Sequence, residues 1–335
     1  MDWARAATIT FVVCATAMTP TAVNADGFAI IYNGQKQDGG FNEAALQGVK
    51  RAKRQLDIRV RERVVANVDE AEKALRVFAR RDVEHLLTVG FSNTPAVKAA
   101  AEAFPQAKFT LIDGVVEAAN VKSMLFREDQ AGFLAGAVAG LKTESDRLGF
   151  IGGMPIPPVK NYGCGFLQGA RYVNEDVRMD WRYIGDSVEA FRDREKAASI
   201  ANALFSDGAD VVFPAAGYAG KAALKAAAKA DAYAVGVDVN QNAIAPGHVL
   251  TSAVKRVDQA VYLSWKAAVN GTWQAGVRRL GVSQDGVGYA VDANNRALIA
   301  GVKPRVERIR TKLAAGKIAI KVPDAAPACG PDGNT

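Results

Sequence analysis

From Phe28 onward, apolar runs short enough to be strands alternate with amphipathic helical stretches, and the alternation restarts once, near residues 146–153. A chain patterned in this way has few options, because strand–helix–strand units close into a parallel sheet covered by helices on both faces. The first set predicts strands at 28–32, 86–89, 109–112 and 121–126, with helices at 41–56, 69–81, 93–104 and 128–142. The second predicts strands at 149–151, 181–184, 211–213, 234–238 and 249–253. Its helices are expected at 161–174, 192–205, 217–230 and 255–270, with Pro155, Pro157 and Pro158 breaking the chain ahead of the first. An extended piece at 278–282, a turn-rich stretch to Tyr289, a short helix from Asn294 and a basic helix opened by Pro304 complete the pattern. At 335 residues the chain is longer than a single core usually serves, so two α/β lobes with a cleft between them are expected.

The formal charge is +7, yet the basic residues form only short clusters, at 50–54, 80–81 and 305–312, with no aromatic residues interleaved. That arrangement reads as solvated helix faces and not as a nucleic-acid platform. Ahead of the first strand, Arg5 precedes an apolar run at 6–17, and Val23-Asn24-Ala25 offers a small-residue cleavage site before Asp26. Residues 1–25 are therefore expected to be an export signal. The run is too short to span a bilayer, and no later stretch approaches the roughly 18 apolar residues that spanning needs. Cys14 lies inside the apolar run without the small-residue context of a lipid-attachment cysteine, so free periplasmic release is expected over anchoring. Cys164 and Cys329 remain in the mature chain; an oxidising compartment would permit their pairing, and the sequence leaves it open.

Catalytic signatures are missing. The two histidines, His85 and His248, lie far apart, and no HExxH, Cys–His cluster or acidic calcium loop supports a metal. No GxGxxG, P-loop or GxSxG is present; Gly163-Cys164-Gly165 is followed by Gln168 where a third glycine would be needed. Neither cofactor nor metal is expected. What the chain does carry is a set of polar residues at expected strand ends. Gln37-Asp38-Gly39-Gly40-Phe41-Asn42 links the first strand to its helix, Asp113 precedes Gly114, Gly217 opens a helix, and Asp238 ends a strand. In open α/β sheets, ligands sit just beyond the carboxyl ends of the strands. Carboxylates there accept N–H and O–H donors, and aromatic rings can stack a planar ligand. Asp38 or Asn42 would equally serve as a plain helix cap.

Taken together, Asp38-Gly-Gly-Phe-Asn42, Phe126-Arg-Glu-Asp-Gln-Ala-Gly132 with Leu134-Ala-Gly136, Gly149-Phe-Ile-Gly-Gly153, Gly236-Val-Asp238 and Leu250-Thr-Ser-Ala-Val-Lys255 resemble the basic membrane protein family. Its members are substrate-binding proteins of ATP-driven importers and include purine nucleoside receptors. The resemblance implies a type I periplasmic binding protein fold, two doubly wound parallel-sheet lobes joined by a hinge. It places lobe 1 at 26–143 with a return near 251–276, lobe 2 at 144–250 with a C-terminal segment near 277–324, and a frayed tail at 325–335. It implies a purine nucleoside or base stacked by Phe41 and Phe191 and faced by Asp38, Asn42, Asn93 and Asp113. Gly217, Asp238 and Lys255 would surround the ribose. An inner-membrane ABC permease is the implied partner of a monomeric, non-enzymatic receptor. The alternatives are another small polar solute, taken up or signalled, and a nucleoside-processing enzyme.

Overall fold

The computed structural model describes residues 27–81, 83–322 and Cys329; the expected signal segment lies outside the described residues. In chain order the elements begin with β1 (Phe28–Tyr32), α1 (Phe41–Leu56), β2 (Val60–Val64), α2 (Val68–Ala79), β3 (His85–Val89), α3 (Thr94–Ala103), β4 (Lys108–Ile112), β5 (Val121–Phe126) and α4 (Glu128–Lys142). They continue with β6 (Arg147–Gly152), α5 (Pro157–Arg171), β7 (Arg178–Tyr183), α6 (Arg194–Ser206), β8 (Val211–Ala215), α7 (Gly217–Lys229), β9 (Tyr233–Asp238) and β10 (Val249–Lys255). The last are α8 (Val257–Val269), β11 (Gly276–Leu280), β12 (Val287–Tyr289), α9 (Arg296–Ile299) and α10 (Lys303–Ala314).

Two six-stranded sheets result, ordered β11-β5-β4-β3-β1-β2 and β12-β10-β9-β8-β6-β7. The first is parallel throughout, and in the second only β12 runs antiparallel, against β10. Central strands such as β1 and β8 are buried along their whole length, as continuous apolar runs covered on both faces should be. The expected two-lobed α/β architecture is present. β2, by contrast, has no apolar run to announce it: its sequence is VRERV, and its charges suit an exposed sheet edge. Helix α5 starts at Pro157, four residues earlier than expected. Proline in a first helical turn lacks only an N–H that would be unpaired there anyway, so Pro157 and Pro158 open the helix and do not break it.

The crossings between lobes differ from those expected. The chain leaves the first sheet at Arg127, because α4 packs on α5 and on β10 and β12, not on the sheet that precedes it. Its glycines explain the choice. A Cβ at Gly132, Gly136 or Gly140 of α4 would meet backbone of Tyr162, Phe166 or Ala170, and one at Gly165 or Gly169 of α5 would meet Asp129 or Phe133. The two helices approach until backbones touch. The return to the first lobe starts after Lys255, since β10 belongs to the second sheet and only α8 lies against α1, β3 and β4. β11, expected with the second lobe, forms the outer edge of the first sheet, beside β5. The three crossings run together: Arg127 N–H donates to Leu280 O at 3.0 Å, and Arg256 N–H to Gly286 O at 2.8 Å. Within the tail expected to fray, the one described residue, Cys329, is disulfide-bonded to Cys164 of α5.

Candidate functional site

The carboxyl ends of the strands in both sheets meet around one buried ammonium. Lys255, the last residue of β10, is 3% exposed. Its Nζ pairs with Asp113 just past β4 and with Glu128 at the start of α4, the latter at 3.0 Å. The rings of Phe41 and Phe126 flank it, with centroids 5.1 and 5.2 Å from Nζ. Asp238, at the end of β9, accepts a hydrogen bond from the Tyr162 hydroxyl at 3.2 Å, and Asn161 donates to Glu128 at 3.2 Å.

Electrostatics follow from this crowding. Burial pushes the carboxyls of Asp113, Glu128 and Asp238 above the usual carboxylate range even though Lys255 pulls each of them down. Burial alone would lower Lys255, but the three carboxylates together raise it. The cluster holds one cation against three acids, and so has a surplus of hydrogen-bond acceptors. Among the described residues of this site, two acceptor atoms are buried without a donor, Asp113 Oδ1 and Asn42 Oδ1. Buried polar atoms are almost always paired, so both mark places where a donor belongs.

The aligned strand ends bring the expected residues together unevenly. Asn42 and Phe41 open α1, and Asp113, Asp238 and Lys255 form the cluster. Asp38 lies close enough to raise Asp238, but its own oxygens are occupied: they accept from the backbone N–H groups of Gly40, Asn42 and Glu43 and from the Asn42 side chain at 2.8 to 3.1 Å. It clasps the first turn of α1. Asn93 turns inward, its amide donating to Val89 O at 3.0 Å, and makes no side-chain cap on α3. Phe191 lies on the second lobe against Gly153 and Gly217, and Gly217 itself has a φ of 54°, in the left-handed region that glycine enters freely. Glu128 and Tyr162 were not anticipated as site residues. Glu128 sits where an acid at a helix start is ordinarily explained by the helix dipole, and Tyr162 sits inside an apolar helical face, so neither carried a separate signal.

The lobes touch across this site. Gln241 Nε2, from the loop after β9, donates to Gly39 O at 3.0 Å. Lys221 of α7 lies over Gly39, and a Cβ on Gly34 would be 3.3 Å from Arg192 Nη2. Among the described residues, no group of histidines, cysteines and acids could hold a metal ion, and no helix is long and apolar enough to cross a membrane.

Comparison with known proteins agrees with this geometry. The family described as ABC transporter substrate-binding protein PnrA-like matches residues 26–322. An uncharacterized lipoprotein of Pyrococcus abyssi is 32% identical over 278 residues, 78% of this chain and 68% of that one. Basic membrane protein D of Borreliella burgdorferi is 27% identical over 330 residues, 93% of this chain and 92% of the relative. A crystal structure of an ABC transporter solute-binding protein from Aeropyrum pernix superposes with a TM-score of 0.76 at 25% identity, covering 89% of this chain and 94% of the other. The fold, the strand-end cleft and the family match lead to one conclusion: the chain belongs to the PnrA-like, basic membrane protein family of ABC transporter substrate-binding proteins, which take up a small molecule and present it to a membrane permease.

Proposed function

We propose that the protein captures a purine nucleoside or nucleobase outside the cytoplasmic membrane, by closing two lobes around it, and delivers it to the permease of an ABC importer. The observation that carries this reading is the surplus of acceptors around Lys255, whose one ammonium pairs with Asp113 and Glu128 while Asp238 lies close enough to raise it. Such a site repels anions and suits a neutral ligand that brings hydroxyl and N–H donors. Asp238, Lys255 and Gly217 would take the sugar, while Asp113 and Asn42 would accept from the base and Asn93 would lie behind them. Phe41 and Phe191 would stack the ring, and Asp38 would hold the loop that presents Phe41. A neutral sugar would satisfy the carboxylates equally well; the two aromatic residues favour the purine. Capture needs hinge motion alone, with no bond made or broken, and the receptor is read as a monomer.

Family membership supports export, and the relatives named lipoproteins weigh against the expectation of free release. With Cys164 and Cys329 paired, Cys14 is the one remaining cysteine that could carry a lipid. Palmitate labelling of the parent but not of Cys14→Ser would establish the anchor.

The ligand is tested by a thermal-shift screen of protein started at Asp26 and refolded from denaturant to strip any bound solute. A ligand that binds only the native state stabilises it by roughly 2.7 kcal/mol at a hundredfold excess over Kd. Inosine, guanosine or adenosine should raise the transition, with glucose and amino acids inert; a response to sugars alone would remove the purine assignment and keep the receptor.

A further inference from the structure

A second polar cavity lies away from the cleft, between α8 and the β5–β11 edge of the first sheet, with a volume of about 600 Å³. Lys122 of β5 lines it and is 8% exposed. Among the described residues no acceptor or acid pairs with its ammonium, which instead lies over Trp273, 5.1 Å from the ring centroid. Trp273 is held in place by its indole N–H, which donates to Thr110 Oγ1 at 3.3 Å, and Thr110 in turn bonds Ser264 of α8 at 2.7 Å. Lys266 and Arg278 stand exposed at the rim, Ser264, Asn270 and Thr272 add hydroxyl and amide groups, and neither Asp nor Glu lines the cavity.

A buried, unpaired ammonium is costly unless something answers it. Among the described residues the titratable groups around it are also basic or neutral: Arg278 on β11 acts on it, Lys266 on α8 lines the same cavity, and His85 on β3 feels both Lys122 and Lys108. Burial and Arg278 hold Lys122 down to about 8, so it is charged at neutral pH without a counter-ion from the chain.

We propose that this cavity is a second binding site, for a small oxyanion such as a phosphate- or carboxylate-bearing metabolite, with Lys122 at its floor and Arg278 and Lys266 at its mouth. Its charge is opposite to that of the cleft, so the two sites select different ligands. Helix α8 joins them, since it begins just after Lys255 and lines the cavity at Leu263, Ser264 and Ala267.

The test is calorimetry at constant ionic strength and pH 7, with pyrophosphate and citrate as separate probes that distinguish phosphoryl from carboxylate recognition. At least one should bind saturably, one per chain, and bind at least tenfold more weakly to Lys122→Met. The rim variant Arg278→Gln should weaken it less, and Asp238→Ala in the cleft should leave it unchanged. At pH 9.5, where Lys122 is neutral, affinity should fall as in Lys122→Met. Failure of both probes to saturate, or undiminished binding to both Lys122→Met and Arg278→Gln, would overturn the proposal without touching the cleft.

Discussion

Asp113 and Asp238 occupy matching places in the two sheets, each at the carboxyl end of a parallel strand and each with a positive φ, 66° and 64°. Non-glycine residues rarely adopt that conformation, and aspartate is among the few that do. The backbone turn at each strand end thus aims a carboxylate into the cleft, and Lys255 takes up part of the resulting charge. Such residues were legible in the sequence because strand ends and acids can be located from pattern alone. Glu128 was not, because a helix-start acid looks the same whether it faces water or a buried lysine.

Phe41 should matter through its ring. Replacing it with alanine is predicted to weaken nucleoside binding by about 1–3 kcal/mol, the usual worth of one base–aromatic stack, with the fold intact. An unchanged Kd in calorimetry would place the ring outside the site. His85 gives a prediction of a different kind. Burial, with Lys108 and Lys122 nearby, holds it down to about 4, against about 6.5 in the unfolded chain. The folded state binds that proton less readily, so the contribution is complete above pH 6.5 and is lost as pH falls toward 4. The span corresponds to about 3 kcal/mol. Asp113, Glu128 and Asp238, raised by burial, act in the opposite sense, so the readout is a difference between variants. Urea unfolding at pH 7 and pH 4.5 should show a steeper acid loss in the parent than in His85→Phe; equal losses would contradict the assignment.

At the scale of elements, the α4–α5 pair is the tightest piece of packing in the molecule's second lobe. A Cβ on Gly136 would run into the Phe166 carbonyl, and backbone cannot yield as a side-chain tip can. Gly136→Ala should therefore cost about 1–3 kcal/mol, the range for overpacking a core, seen as a lower urea midpoint at unchanged slope. A midpoint equal to the parent's would mean that the helices separate without strain. The glycines of α4 can be read directly from the sequence. Which surface they meet cannot, because a small-residue face fits a sheet or another helix equally well. β2 escaped notice for the complementary reason. Arg61, Glu62 and Arg63 occupy an edge, where hydrogen bonds to β1 form the strand and no buried side chain advertises it.

For the whole molecule, three adjacent crossings make a natural hinge. Two of them carry the same device: Arg127 forks onto Asp129, and Arg256 onto Asp258, each pair spanning the entry to a helix. Around that hinge the lobes are held together by Gln241 on Gly39 and by the charges around Lys255, contacts that opening would break. The number of lobes was evident from the repeated pattern, whereas the crossings were not. A parallel strand at a sheet edge, such as β11, can be supplied by any part of the chain, and local sequence does not say which sheet receives it. We propose that a purine nucleoside bridges the two lobes, held by Asp238 and Lys255 from the second and by Phe41 and Asp113 from the first. Calorimetry of inosine against refolded parent and Asp238→Ala tests it most directly. The parent should bind at one site per chain and the variant at least tenfold more weakly, since hydrogen bonds to a charged acceptor contribute about 1.5–3 kcal/mol. Equal affinity in both proteins would contradict it.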